Sequence, residues 1–80
     1  MTNSADNRPP LVVNGERVAT GTYNVMAADD GRVLGWVLRQ GNGKWIACST
    51  GIGRINGKEY ANRTLAMDAL AEFRRIREAG

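Results

Sequence analysis

Two glycine-containing pairs, Asp30-Gly31 and Asn42-Gly43, divide the middle of the chain into short runs of strand-forming residues. Asp-Gly and Asn-Gly favour type I′ hairpin turns, because both central residues of such a turn need a positive φ. The runs at residues 17–28, 33–40 and 45–50 are rich in β-branched and aromatic residues, which are enriched in strands. This spacing predicts a three-stranded antiparallel meander.

A two-residue turn at each pair also predicts the register of the strands. Val25 then faces Trp36, and Leu38 faces both Tyr23 and Ala47. Successive side chains in a strand point to opposite faces. The predicted core face therefore carries the bulky set Tyr23, Val25, Ala27, Leu34, Trp36, Leu38, Trp45 and Ala47. The other face is mixed and more apolar than a water-facing surface, with Thr22, Asn24, Met26, Val33, Val37, Arg39, Lys44, Ile46 and Cys48.

The last segment has the periodicity of an amphipathic helix. Apolar residues recur at three- and four-residue spacing, namely Leu65, Ala66, Ala69, Leu70, Phe73 and Ile76. Asn62 or Thr64 can cap the first turn. A lone three-stranded sheet is not stable without a cover, so the stripe is expected to pack on the aromatic-rich face. The sequence thus predicts an α+β fold, with the meander packed on one C-terminal helix.

The ends of this domain are less defined by pattern. Residues 1–10 are polar and end in Pro9-Pro10, which predicts a disordered arm before a single β-β-β-α domain at residues 11–80. Residues 11–13 form an apolar triplet that is either an edge strand or a segment tucked under the sheet. Gly21 is expected to mark a bulge. Asn56-Gly57 can form a turn within residues 54–60, and the pattern does not decide whether these residues add a fourth strand.

The side-chain inventory argues against catalysis. The 80 residues include no histidine and one cysteine, Cys48, so the commonest general base and a zinc ligand set are both missing. Asp29-Asp30 is expected at a hairpin tip as a turn element. The run from Gly51 to Gly57 lacks the G-x-G-x-x-G spacing and the βαβ setting of a phosphate loop. We expect a non-enzymatic domain without cofactor, metal or small-molecule substrate.

The chain is also expected to be cytoplasmic. Its lone cysteine provides no disulfide frame, and the polar first ten residues carry no apolar leader segment. No run approaches the roughly 18 apolar residues that a membrane span needs. We therefore predict no membrane association.

Nucleic acid is the alternative partner. The net charge of +3 is smaller than a dedicated nucleic-acid binder usually shows, but nine of the 11 basic residues are arginine, which can recognise phosphate with two hydrogen bonds. The β-β-β-α order, the Gly43-Lys44-Trp45 segment opening the last strand and the pattern Tyr60-x-x-Arg63-Thr64 resemble the arm-type DNA-binding domains of phage and transposon integrases. The resemblance implies a sheet lying in the major groove with the helix behind it. The residues that it implies as contacts are Thr22, Asn24, Arg32, Arg39, Lys44 and Arg54.

A protein partner is the interpretation that the small net charge and the apolar outer surface favour. The predicted docking patch consists of Met26, Val33, Val37 and Ile46, with Arg39 at its rim. Its occupant would be a second copy of the chain, another protein, or the chain's own residues 11–13. In length and Arg, Ala and Gly content the chain is similar to small actinobacteriophage proteins, some of which bind host proteins. A protein-interaction module is therefore the predicted function.

Overall fold

The computed structural model describes residues 11–79 and has one open antiparallel sheet with one helix packed on it. The predicted α+β class is confirmed, but the sheet has five strands in the order β1-β2-β3-β4-β5. The strands are β1 Val13–Ala19, β2 Thr22–Ala27, β3 Val33–Arg39, β4 Trp45–Ser49 and β5 Gly53–Arg54, and the helix is α1 Arg63–Ala79. The predicted arm at residues 1–10 lies outside the described residues.

The first predicted strand is in fact two strands. Gly21 has a φ of 72° and forms the turn between β1 and β2, so the bulge predicted at this residue is wrong. The register shift of this pair lies nearby, between Arg17 and Ala19. Asn14 and Gly15 lie inside β1 and pair with β2. The apolar triplet therefore leads into an edge strand.

The segment after β4 adds the strand that the sequence left open. Gly53 pairs with Ser49 to form the short β5. Asn56 and Gly57 both have positive φ, 62° and 59°, as a type I′ turn requires. The chain then returns to the sheet, where Tyr60 exchanges two backbone hydrogen bonds with Trp45, at 2.7 and 2.8 Å.

The hairpin loop between β3 and β4 is one residue longer than predicted. Gln40 N donates to Lys44 O at 2.7 Å, which closes a loop of residues 41–43. Gly43 has a φ of 85°, whereas Asn42 is not among the positive-φ residues of the described chain. Asn42 Oδ1 instead accepts a hydrogen bond from Lys44 N at 3.0 Å. A three-residue hairpin loop of this kind consists of a type I turn followed by one residue, here Gly43, in the left-handed region.

The hairpin loop between β2 and β3 is also longer than the predicted two-residue turn. Ala27 N donates to Arg32 O at 2.9 Å, so the loop comprises residues 28–31, with Gly31 at a φ of 76°. Val25 and Met26 are consecutive in β2, but their partners Gly35 and Val33 have Leu34 between them in β3. Leu34 is therefore the extra residue of a β-bulge.

The β3–β4 loop, one residue longer than predicted, shifts β3 by one residue against β4. The four-residue β2–β3 loop together with the extra residue Leu34 gives the same one-residue shift against β2, so β3 exchanges its faces. Trp36 pairs with Cys48 and Leu38 with Ile46, on the face away from the helix. The prediction that Trp36 and Leu38 belong to the core face is therefore wrong. Val37 is 0% exposed in the core, and Arg39 pairs with Trp45 on the helix side. The predicted outward positions of Val37 and Arg39 are wrong for the same reason.

The core lies between α1 and the sheet. Its fully buried members are Val25, Val37, Ala47, Ile55, Ala66 and Leu70, and Tyr23, Trp45, Tyr60, Met67 and Phe73 pack around them. Asn62 Oδ1 accepts a hydrogen bond from Leu65 N at 2.9 Å, so Asn62 is the N-cap. Leu65 and Ile76 are exposed, which corrects their predicted place in the buried stripe.

Arg74 ties the helix to the sheet at the bulge. Its Nη1 donates to Leu34 O at 2.7 Å and to Thr50 Oγ1 at 2.8 Å. Its Nη2 reaches Glu78 at 3.2 Å, and the same carboxylate accepts from Arg32 at 2.6 Å. Leu34 O also accepts a backbone hydrogen bond from Thr50 N at 3.0 Å, so the guanidinium is a second, charged donor to this carbonyl.

The register of β3 predicts opposite sensitivities for two adjacent residues. Val37→Ala should destabilise the fold by about 2 kcal/mol, because it removes buried methyl groups and leaves a cavity. Leu38→Ala should cost less, since Leu38 is only half-buried on the outer face. Urea unfolding of both variants measures the difference. A larger loss for Leu38→Ala would contradict this register.

Gly35 should not tolerate a side chain. A Cβ at this position would meet the backbone carbonyl of Cys48 and lie 3.0 Å from the Cα of Ser49. We expect Gly35→Ala to destabilise the fold by at least about 2 kcal/mol, because backbone atoms of a paired strand would have to move. Gly41→Ala is the matched control, since a Cβ there would have no heavy atom within 4 Å. Thermal unfolding should separate the two variants clearly.

Candidate interaction face of the sheet

Three cross-strand rows make up the surface that faces away from α1, which we call the outer face. The first row is Thr22–Leu38–Ile46, the second, the central row, is Glu16–Asn24–Trp36–Cys48–Arg54, and the third is Asn14–Met26–Val33. Paired residues of neighbouring strands lie on the same face. The outer face therefore presents one residue from each of five strands along its central row.

The middle of the outer face is apolar. Trp36, Leu38, Ile46 and Met26 are half-buried, and Val33 is 45% exposed. The charged residues of the three rows are Glu16 and Arg54, which lie on the two edge strands. An antiparallel sheet with one face in water usually alternates apolar and polar residues, but β3 is apolar on both faces.

No second layer covers this face within residues 11–79. The single helix of that range packs on the opposite side, against Val37 and Ala47. Leu11 lines a shallow pocket with Asp68 on α1, and Val13 packs against the core. The hypothesis that residues 11–13 cover the outer face is therefore wrong, because Leu11 and Val13 lie on the helix side and Val12 is 66% exposed.

Cys48 belongs to the apolar middle. It is 7% exposed and lies between Trp36 and Arg54 in the central row. Burial raises the pKa of the Cys48 thiol, and the charge of Arg54 and a hydrogen bond from Trp36 oppose that rise only in part. A thiol with a raised pKa is uncharged at neutral pH and behaves as a small apolar group.

The structure brings together three of the five predicted partner-binding residues. Met26, Val33 and Ile46 share the outer face, whereas Val37 is in the core and Arg39 is on the helix side. Sequence reasoning missed Trp36 and Leu38 as outer-face residues. Gly41-Asn42-Gly43 also suits a three-residue loop, and that signal could have placed Trp36 and Leu38 on the outer face. The loop length decides which side chains of β3 share a face with those of β4.

The residues implied as DNA contacts are dispersed. Thr22, Asn24 and Arg54 lie on the outer face, Lys44 lies beside a loop and Arg39 faces the helix side. Arg32 is engaged by acids, at 2.9 Å to Asp30 and 2.6 Å to Glu78. Hydrogen bonds from the Arg32 backbone and guanidinium lower the pKa of Asp30. The six residues do not form one surface.

A different set of arginines does come together, at the end of the sheet near the start of α1. We call Arg17, Arg39, Arg63, Tyr23 and Trp45 the Arg–aromatic cluster. The Arg63 guanidinium lies 4.2 Å from the Tyr23 ring centroid, and the Tyr23 and Trp45 rings are 6.0 Å apart. Arg17 pairs with Tyr23, and Arg39 with Trp45. Among residues 11–79, no ion pair involves these three arginines.

Comparison with models of protein families found no match, and searches of curated proteins and of solved structures returned none. Within the described range, no three His, Cys, Asp or Glu side chains are grouped as a metal site would require. The helix at residues 63–79 is not long and apolar enough to cross a membrane. The outer face and the Arg–aromatic cluster are the two candidate sites among residues 11–79.

Proposed function

We propose that this chain is a non-enzymatic protein-interaction module that docks its partner on the outer face. The observation that carries the proposal is the apolar centre formed by Trp36, Leu38 and Ile46 on a sheet face that no layer of residues 11–79 covers. Tryptophan is enriched at the energetic centres of protein interfaces, where it fills pockets on the partner. A polar rim around an apolar centre is the usual anatomy of such interfaces.

The sign and number of charges favour a protein partner over DNA on this face. Glu16 and Arg54 cancel, so the three rows have no net charge. DNA binding depends on several cationic contacts to phosphates and weakens steeply with salt. Docking through apolar burial has no such requirement, and its strength comes from surface removed from water.

Site-specific photo-crosslinking tests the proposed docking face. Replacing Leu38 by p-benzoylphenylalanine should give covalent adducts with protein in the cells where the chain is naturally made, because this side chain would lie against the partner. The same replacement at Leu65, which is exposed on the helix side, is the matched control and should give few adducts. Adducts are separated by mass after nuclease treatment. Equal yields at both positions, or adducts that nuclease removes, would contradict the proposal.

A second candidate function has its own observation. The Arg–aromatic cluster combines three arginines outside the ion pairs of the described chain with two aromatic rings at the positive end of the helix dipole. Cationic grooves with aromatic rings on which bases can stack are typical of sites that bind single-stranded nucleic acid. This candidate site lies on the helix side of the sheet, opposite to the face through which the resemblance to arm-type domains implies DNA binding.

A salt titration against single-stranded DNA tests this second function. If the cluster binds phosphates, the triple variant Arg17→Gln, Arg39→Gln, Arg63→Gln should weaken binding and lower the salt slope by about 2, since each phosphate contact contributes about 0.7. Arg54→Gln, on the outer face, is the control and should leave the slope unchanged. Identical slopes for the wild type and the triple variant would exclude the cluster as the site.

A further inference from the structure

The central row of the outer face is symmetric in position and antisymmetric in charge. Trp36 lies on β3, the middle strand of five, with Asn24 and Cys48 beside it. Glu16 ends the row on β1, and Arg54 ends it on β5. Both end residues are exposed. An acid and a base thus lie at equal numbers of strands from a central tryptophan.

We propose that the partner on the outer face is a second copy of this chain, related by a two-fold axis that runs parallel to β3 and passes over Trp36. This inference rests on the proposed docking function and names its partner. A rotation about that axis lays β1 of one copy over β5 of the other. Each Glu16 then faces an Arg54 of the second copy, and the dimer contains this pair twice.

The charges distinguish this axis from the other two-fold arrangement of facing sheets. A two-fold axis that lies between the sheets, parallel to their plane and perpendicular to the strands, would lay every strand over its own copy. Glu16 would then face Glu16, and Arg54 would face Arg54, so both edges would repel. The opposite signs at the two edges are therefore complementary only for the axis along β3.

The apolar residues fit the same axis. The outer-face residues of the middle strand, Val33, Trp36 and Leu38, each meet their own copy across it. Sheets that pack face to face lie about 10 Å apart with strand directions within about 30° of each other, and the parallel middle strands that this axis gives fall inside that range. The contact is centred on Trp36. Long side chains such as those of Glu16 and Arg54 can span that separation at the edges.

The area of the face suits a weak dimer. The five strands have seven, six, seven, five and two residues. With a rise of about 3.3 Å per residue and a spacing of about 4.8 Å, they present on the order of 400 Å² per copy, or about 850 Å² for the pair. That area is just below the roughly 1,000 Å² of stable specific interfaces. A concentration-dependent monomer–dimer equilibrium is the expected behaviour, in place of a permanent dimer.

Reversal of the two charges, singly and together, tests the axis. Glu16→Arg and Arg54→Glu should each weaken dimerisation about tenfold, because each creates two like-charge contacts per dimer. The double variant should restore the wild-type dissociation constant within about threefold, since the pairs re-form with exchanged signs. Asp68→Arg, an exposed reversal on α1, is the control and should leave the dissociation constant unchanged. Sedimentation equilibrium from about 5 to 500 µM measures all five proteins, and thermal unfolding confirms that each is folded.

A wild-type chain that stays monomeric over this range, or a double variant that is not rescued, would overturn the proposal. These outcomes leave the docking function separately measurable. Photo-crosslinking from position 38 gives an adduct of twice the chain's mass if the partner is a second copy. An adduct of another mass would support docking of a different protein and overturn the dimer. No adduct at all would contradict both.

Discussion

The pairing of β3 with β2 and β4 is the constraint on which the rest of the structure depends. At Gly35 the backbone of Cys48 lies so close that a Cβ could not be accommodated, and this contact suits only the observed register. With β3 in this position, Val37 meets Ala47 beneath α1 and the core closes. The extra residue Leu34 is buried at the bulge, where Arg74 from the helix binds its carbonyl oxygen. The loops, the bulge and the helix anchor are thus mutually consistent.

The same register explains why the molecule has two dissimilar faces. A strand with apolar residues at both parities must bury one set against the helix and present the other set outward. In this chain the smaller residue Val37 goes inward with Gly35, and the larger pair Trp36 and Leu38 goes outward. Within residues 11–79 the one helix covers one face of the sheet, and no second layer covers the other. The uncovered apolar set is the physical basis for the proposed docking function.

The two candidate sites differ in the interaction that each would use. The outer face has cancelling charges at its edges and an apolar middle, so its binding would depend on excluded water. The Arg–aromatic cluster has uncompensated positive charge next to aromatic rings, so its binding would depend on released counterions. They lie on opposite faces of one sheet, and variants such as Leu38→Ala and Arg39→Gln act on one site at a time. A chain that used both would hold a partner and a polyanion simultaneously.

The sequence by itself determined the central meander, the C-terminal helix with its N-cap at either Asn62 or Thr64, and the lack of histidine, because turn pairs and periodicity are local signals. It did not determine which alternate residues of β3 face the helix. Asn42-Gly43 suits both a two-residue turn and a three-residue loop, and apolar residues occupy both parities of residues 33–38. Only the tertiary structure decided between them, since the fit of Gly35 against β4 and of Val37 under the helix compares distant parts of the chain. Such a choice moves every side chain of the strand to the other face, which is why it also decided the composition of the candidate site.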